Sequence, residues 1–220
     1  MSGYAFSLAG VQLVALGSGA LHWPEAALLC VSDLHLGKSD HAARQGAAAL
    51  PPFETRDTLL RLQADLDATG TRTVVCLGDS FDDSADALPE SEQTWIARLQ
   101  AGRSWIWIAG NHDPGPVSLG GSHLAELPRP PLCFRHIAQA RASGEVSGHY
   151  HPMARAALRG HSVAQPCFLL DGDRMILPAY GGHTGGLDCR DPALARLMRP
   201  EALAILTGAA PLPVPMPRAR

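Results

Sequence analysis

Short apolar runs alternate with amphipathic segments along the first half of the chain. The runs at 26–31, 73–77 and 105–109 are almost wholly apolar and have the length of buried strands. Leucines at helical spacing predict a helix over 53–69 that ends at Gly70, and a second helix is predicted over 91–101 with Ser91 as its N-cap. Residues 6–16 predict one or two opening strands. The alternation of strands and helices predicts an α/β fold built on a layered sheet.

The second half of the chain has a less regular pattern. Asp171–Asp173 separates two apolar runs in the way a hairpin turn does. Residues 193–206 predict a helix that Pro200 interrupts, and the proline-rich segment 211–220 predicts a frayed tail. We find no repeat and no linker, so a single domain is predicted over residues 1–210.

Composition narrows the class of protein. Hydrophobic residues make up 46% of the 220, enough for a large core, and no run of about 18 apolar residues predicts a membrane span. The net charge of −3 provides no global basic field, so a nucleic-acid partner would have to meet a local patch. The five cysteines include no CxxC pair, and the first basic residue is Lys38, so neither a disulfide framework nor a secretory leader is expected. Both features favour the cytoplasm.

Polar phrases that combine carboxylates, an amide and imidazoles follow most of the predicted strands. In chain order, the side chains able to bind a metal are those of Asp33, His35, Asp79, Asn111, His136, His149 and His151. Because ligands bind at the carboxyl edge of the strands in open α/β sheets, we expect these side chains to converge. A polar group this dense would be costly without cations, and its nitrogen and oxygen donors suit manganese, iron or zinc.

With these phrases the chain resembles the calcineurin-like metallophosphoesterase superfamily from Asp33 to His151. The resemblance implies an α/β/β/α sandwich, with two packed mixed sheets flanked by helices. It also implies two divalent metal ions, for which we expect manganese ahead of iron or zinc. The implied ligands are Asp33, His35 and His151 for the first ion and Asn111, His136 and His149 for the second, with Asp79 bridging both. His112 would be the catalytic histidine, and Asp113 would orient it.

A finer pattern is similar to one bacterial subgroup, the ligase-associated DNA-damage-response endonucleases. The residues that carry this similarity are Ser32 to Lys38, Arg44, Gly46, Pro51, Leu177 to Gly181 and Thr184 to Gly186. The similarity implies a phosphodiesterase of DNA repair, either an endonuclease or an end-processing enzyme, associated with a DNA ligase and a helicase. Lys38 and Arg44, the cations of the loop after the first phrase, are predicted to hold the DNA backbone.

Two other functions stay open at this point. The Asp-Leu-His-Leu opening at 33–36 also resembles the lipid-precursor pyrophosphatases, so the substrate could be a small nucleotide or a nucleotide-linked lipid precursor. Such an enzyme should carry an apolar helical cap, and we find no clearly amphipathic insertion of that kind. A non-catalytic scaffold of the same fold would be free to lose its ligands, whereas this chain keeps them.

Three further polar residues receive structural interpretations. Asp82 and Asp83 are predicted to cap the loop after Gly78–Asp79, because acidic side chains beside a DNA groove would repel the backbone. His183 is predicted to lie on a surface loop.

Overall fold

A computed structural model describes residues 2–39, 53–113, 117–158 and 161–219. Two mixed β-sheets face each other across a central core, and helices cover their outer faces. This arrangement is the predicted α/β/β/α sandwich. It belongs to the α/β class, with two mixed sheets and few helices.

Sheet one follows the order of the chain. Its strands are β1 (Gly3–Leu8), β2 (Val11–Leu16), β3 (Leu21–Trp23), β4 (Leu28–Val31), β5 (Thr73–Cys76), β6 (Ser104–Ile108) and β7 (Ser122–Leu124). Strands β1 to β4 are antiparallel neighbours, whereas β4 to β7 run parallel. The parallel half therefore presents the carboxyl ends of β4, β5 and β6 at one edge, where three of the polar phrases begin.

Sheet two is assembled from the second half of the chain. Its strands are β8 (Glu126–Arg129), β9 (Leu132–Arg135), β10 (Glu145–Ser147), β11 (Met153–Leu158), β12 (His161–Leu170), β13 (Arg174–Ile176), β14 (Leu203–Leu206) and β15 (Leu212–Pro215). Their order is β15-β14-β12-β13-β10-β9-β8, and β11 pairs with β12. The predicted hairpin is confirmed, since β12 and β13 pair antiparallel with Leu170 opposite Met175.

Three apolar layers hold the sandwich together. The central layer, between the sheets, includes Leu28 and Val75 from sheet one and Phe134 and Phe168 from sheet two. The helices are α1 (Glu54–Thr69), α2 (Glu90–Gln100) and α3 (Pro192–Leu197), with a short 3₁₀ turn at Ala85–Ala87. Helices α1 and α2 cover sheet one, and α3 covers sheet two. Within the described ranges, no helix is both long enough and apolar enough to cross a membrane.

Three local predictions are wrong. Helix α2 begins at Glu90 after Pro89, so Ser91 lies inside the helix and is not its N-cap. The predicted helix over 193–206 ends at Leu197, because the apolar residues of β14 pair with β12 instead. Residues 212–215 of the predicted tail are not frayed, since β15 pairs with β14 at the edge of sheet two, the place in a sheet where prolines are tolerated.

Candidate metal centre

The two sheets bring their polar phrases to a common edge. Asp33 follows β4 and Asp79 follows β5, and their loops are joined because the Asp33 N–H donates to the Gly78 carbonyl at 3.2 Å. In sheet two, His136 follows β9 and His149 follows β10. The parallel strand ends thus place carboxylates from one sheet opposite imidazoles from the other.

Asp33, His35 and His151 form the first cluster. Each of them offers a ligand atom, and these atoms lie within 4.8 Å of one another. Asp33 is fully buried, and its Oδ2 accepts from the Ser32 hydroxyl at 2.5 Å and from the His149 N–H at 2.9 Å. Its Oδ1 lies 3.1 Å from His151 Nε2. One carboxylate oxygen is therefore held by the protein while the other faces the cluster.

Asp79, His136 and His149 form the second cluster, together with Asn111. The Nε2 atom of His136 lies 2.9 Å from Asn111 Oδ1, 3.2 Å from His149 Nδ1 and 3.3 Å from Asp79 Oδ2. The Nδ1–H of His136 donates to the Leu77 carbonyl at 2.7 Å. This outer contact orients the ring so that Nε2 points to its neighbours.

The two clusters are adjacent. Asp33 Oδ1, from the first cluster, lies 3.9 Å from Nδ1 of His136, a residue of the second cluster. The structure thus brings together all seven residues that sequence analysis proposed as ligands. Asp79 lies in the second cluster, and its role as a bridge to the first stays a prediction.

The donor atoms of the first cluster fit a metal ion. Asp33 Oδ1, His35 Nε2 and His151 Nε2 are buried and make no well-formed hydrogen bond among the described residues, and Asp33 Oδ1 and His151 Nε2 face each other at 3.1 Å. Buried polar atoms without well-formed hydrogen bonds are costly, and three of them in one cluster are unusual. A divalent cation that accepts nitrogen and oxygen ligands would satisfy all three.

Protons compete with cations at these histidines. Burial by itself would lower the pKa of His136, but the hydrogen bond to Asp79 and the charges of Asp33 and Asp79 raise it. Burial would raise the pKa of Asp79, yet the His136 side chain and the His112 N–H hold it well below its usual value. Because a histidine must be neutral to bind a metal, cation binding releases protons from this site.

Backbone conformation also marks the site. Five of the seven proposed ligands have a left-handed backbone, namely Asp33 (φ 53°), His35 (47°), Asp79 (46°), His149 (71°) and His151 (45°). This conformation is unfavourable for residues other than glycine, and such outliers cluster at functional sites. Backbone strain is therefore found at most residues of the two clusters.

Comparison with known proteins agrees with this geometry. A family model described as calcineurin-like phosphoesterase matches residues 26–195. The chain belongs to the calcineurin-like phosphoesterase family. The crystal structure of nuclease MPE from Pseudomonas putida is similar, with a TM-score of 0.73 and 28% identity over 97% of this chain and 100% of that one. No curated protein matches the chain significantly. The protein is therefore a metal-dependent phosphoesterase, and two clusters able to bind metal lie inside the matched region.

Asp82 is a residue of this phosphoesterase site that sequence analysis misread. It does not serve as a loop cap, because its Oδ1 lies 2.5 Å from His35 Nδ1. Burial would raise the pKa of Asp82, but the hydrogen bond from His35 lowers it, so the carboxylate is charged. Such a carboxylate orients a ligand histidine and leaves its other nitrogen for the metal. Its position three residues after Asp79 places Asp82 near the site, but its partner His35 lies 47 residues away and is not visible from the sequence.

His112 and Asp113 are placed differently from each other. His112 is exposed beside the first cluster, with its ring centroid 5.8 Å from that of His35, and its N–H donates to Asp79 Oδ1 at 2.9 Å. The Asp113 carboxylate accepts from the N–H groups of Asp79, Ser80 and Gly110. Within the described residues these are the hydrogen bonds of the Asp113 carboxylate, and the orientation of His112 by Asp113 stays a prediction. Asp113 ties the Asp79 loop to the Gly110 loop.

The structure describes one of the two predicted substrate-binding cations, Lys38. Lys38 is half-buried beside the phosphoesterase site, where its charge contributes to the lowered pKa of Asp82 and opposes protonation of His151. Arg44 lies outside the described residues. The substrate contact of Lys38 stays a prediction.

Gly148 leaves room for the packing of the first cluster. A Cβ atom at this position would lie 1.6 Å from Ser32 Oγ and 2.6 Å from Asp33 Oδ2. Both atoms belong to the hydrogen bond that holds the Asp33 carboxylate. Any side chain at Gly148 must therefore displace Asp33.

We expect the Gly148→Ala substitution to weaken metal binding by about 10–100-fold, the effect of losing an outer contact of a ligand. Gly172→Ala is the matched control, because a Cβ there would meet its nearest heavy atom at 3.7 Å. Titration of metal-free protein with Mn²⁺ in a calorimeter measures the difference, and circular dichroism checks the fold. Equal affinity in the two variants would show that Asp33 does not need this packing.

Proposed function

We propose that this phosphoesterase is a dinuclear, manganese-dependent phosphodiesterase that cleaves DNA as an endonuclease or end-processing enzyme. The observation that carries the proposal is the grouping of three buried donor atoms within 4.8 Å of one another beside a second cluster, with His112 exposed at the same edge. Support for DNA as the substrate comes from similarity to a nuclease over the full length of that chain.

The proposed ligands fall into two sets. Asp33, His35 and His151 would hold the first ion, and Asn111, His136 and His149 the second, with Asp79 shared between them. When bound, two divalent ions neutralise charge on the phosphoryl oxygens and acidify the attacking water. The lack of a cysteine in either cluster supports manganese over softer metals.

The remaining residues of the site would position and protonate the substrate. His112 is exposed and held through its N–H by Asp79, so its imidazole can reach the oxygen that leaves phosphorus and protonate it. Asp82 acts through His35, whose Nε2 it directs into the first cluster. The catalytic role therefore belongs to His112, and Asp82 is a positioning residue.

The cellular setting is also part of the proposal. Similarity to the ligase-associated endonucleases supports a role in DNA repair, with a DNA ligase and a helicase as functional partners. All five cysteines are free, which supports a reducing compartment such as the cytoplasm.

A substrate panel tests the function directly. The protein, stripped with chelator and reconstituted with Mn²⁺, is assayed on single-stranded DNA, duplex DNA, cyclic nucleotides and an aryl phosphodiester. We expect hydrolysis of the aryl ester and of at least one DNA substrate, and loss of both activities in chelator. Hydrolysis of cyclic nucleotides with intact DNA would assign a small-nucleotide substrate instead, and full activity in chelator would contradict a metal mechanism.

Two substitutions separate metal binding from catalysis. Asp79→Ala should abolish activity and disturb both ions, because a bridging carboxylate belongs to each site. His112→Gln should keep the metals and slow kcat by roughly 10²–10⁴-fold, the usual size of a general acid–base contribution. His22→Gln is the control, since His22 lies on β3 outside both clusters. Metal content and kcat are measured together, and loss of both metals from His112→Gln would refute the assigned role.

Lys38 provides a test of the polymeric substrate. It is the one lysine of the sequence, and Lys38→Ala should weaken oligonucleotide binding and reduce its salt dependence by about one unit of slope. Turnover of an aryl phosphodiester, which has no flanking phosphate, should stay near normal. Rates on both substrates are measured over a salt series. Equal losses on both would indicate a damaged metal site, and no loss on either would leave Lys38 as a surface charge.

A further inference from the structure

A cavity of about 350 Å³ lies beside the first cluster, with His151 in its wall. Its volume falls within the range of small-ligand sites. Six of its lining residues are glycines, so backbone forms much of its surface and a ligand can approach closely. None of the roles assigned above uses this space.

Arg61 supplies the cavity with a fixed positive group. From α1, its guanidinium donates to the Tyr180 carbonyl and lies over the Tyr180 ring at 4.5 Å. The ring is itself held, because the Tyr180 hydroxyl donates to Asp65 at 2.8 Å. The Nε atom of Arg61 is buried without a partner among the described residues. A guanidinium fixed in this way is suited to a phosphate, because its planar set of donors is already oriented.

His183 lies in the same wall, on a loop anchored to the first cluster. The Gly181 N–H donates to the Asp33 carbonyl at 3.0 Å, and His151 Nδ1 lies 3.0 Å from the Gly185 carbonyl. Between these anchors His183 is exposed and has a left-handed backbone with φ of 53°. A strained, exposed histidine in the wall of a cavity suggests a contact with a ligand. Imidazole rings stack on nucleobases in nucleic-acid complexes.

A second opening beside the metal centre has the opposite charge. It is lined by Asp82, Asp83, Asp86 and the catalytic His112. Carboxylates on this side would repel the backbone of a polyanion. The phosphate that neighbours the cleaved one is therefore accommodated on the side of Arg61.

We propose that the cavity binds the nucleotide next to the scissile phosphate of a DNA strand, with Arg61 paired to the flanking phosphate and His183 against the base. The inference rests on the proposed function, because a DNA strand carries phosphates that flank the scissile one, whereas a cyclic nucleotide or an aryl phosphodiester carries none. It makes Arg61 and His183 substrate-binding residues in addition to Lys38.

Arg61→Gln and His183→Asn test the proposal, with Arg72→Gln as the matched charge control. Arg72 is exposed and lies just before β5, whereas Asp79 follows the other end of that strand. Asparagine tolerates the left-handed backbone, so His183→Asn removes the imidazole without new strain. The substrates are a single-stranded oligonucleotide and bis(p-nitrophenyl) phosphate, each assayed with Mn²⁺ over a salt series.

We expect Arg61→Gln to raise KM for the oligonucleotide about tenfold, the effect of one charge-assisted hydrogen bond, and to reduce the salt slope by about one unit. His183→Asn should raise the same KM about fivefold, as loss of one stacking contact does, with the salt slope unchanged. Both variants should hydrolyse the aryl ester at the wild-type rate, and Arg72→Gln should match wild type on both substrates.

Other results would contradict either the proposed subsite alone or the proposed nuclease function as well. Wild-type kinetics on the oligonucleotide in both variants would overturn the subsite and leave the nuclease function standing. An equal loss on both substrates in Arg61→Gln would show that Arg61 supports the metal-bearing loop, which also overturns its proposed role. If the wild-type protein hydrolyses the aryl ester and leaves DNA intact, the subsite and the proposed function both fall.

Discussion

The buried carboxylate of Asp33 links the two sheets of this phosphoesterase. It stands at the end of β4 in sheet one, and its Oδ2 accepts the N–H of His149, which follows β10 in sheet two. A fully buried carboxylate is costly unless its oxygens are satisfied, so this bond constrains how closely the two sheet edges approach. The remaining oxygen faces His151 and lies next to His136, where the two clusters meet. The positions of both clusters thus depend on Asp33.

The close approach of the two sheet edges also explains why glycines and residues with a left-handed backbone surround the site. Gly148 passes so near the Ser32–Asp33 pair that no side chain fits, and a Cβ at Gly110 would lie 2.2 Å from Asp79 Oδ1. Loops packed this tightly must turn sharply, and several of the proposed ligands take left-handed conformations as a result. The cost of these conformations is carried by the apolar layers of the sandwich, which hold the strand ends in place.

Much of the fold and of the proposed ligand set could be predicted from the sequence, because both rest on local patterns. Apolar runs that each end in a polar phrase indicate parallel strands with ligands at one edge, and β4, β5 and β6 follow that pattern. Contacts between residues that are distant in the chain could not be predicted in this way. Residues 212–215 looked like a tail because prolines suggest disorder, yet the edge of sheet two accepts them. Asp82 was misread because only the folded chain brings it to His35, 47 residues away.

Charge is distributed unevenly around the centre, and this matters for a protein with a net charge of −3. A polyanion gains nothing from the overall field, so any attraction has to come from cations close to the reaction. Lys38 acts electrostatically on the first cluster, and Arg61 lines the cavity that reaches His151. The aspartates of the opposite opening lie beside His112, so that side of the centre carries negative charge. The acidic and the cationic sides of the centre therefore present opposite charges to an anionic substrate.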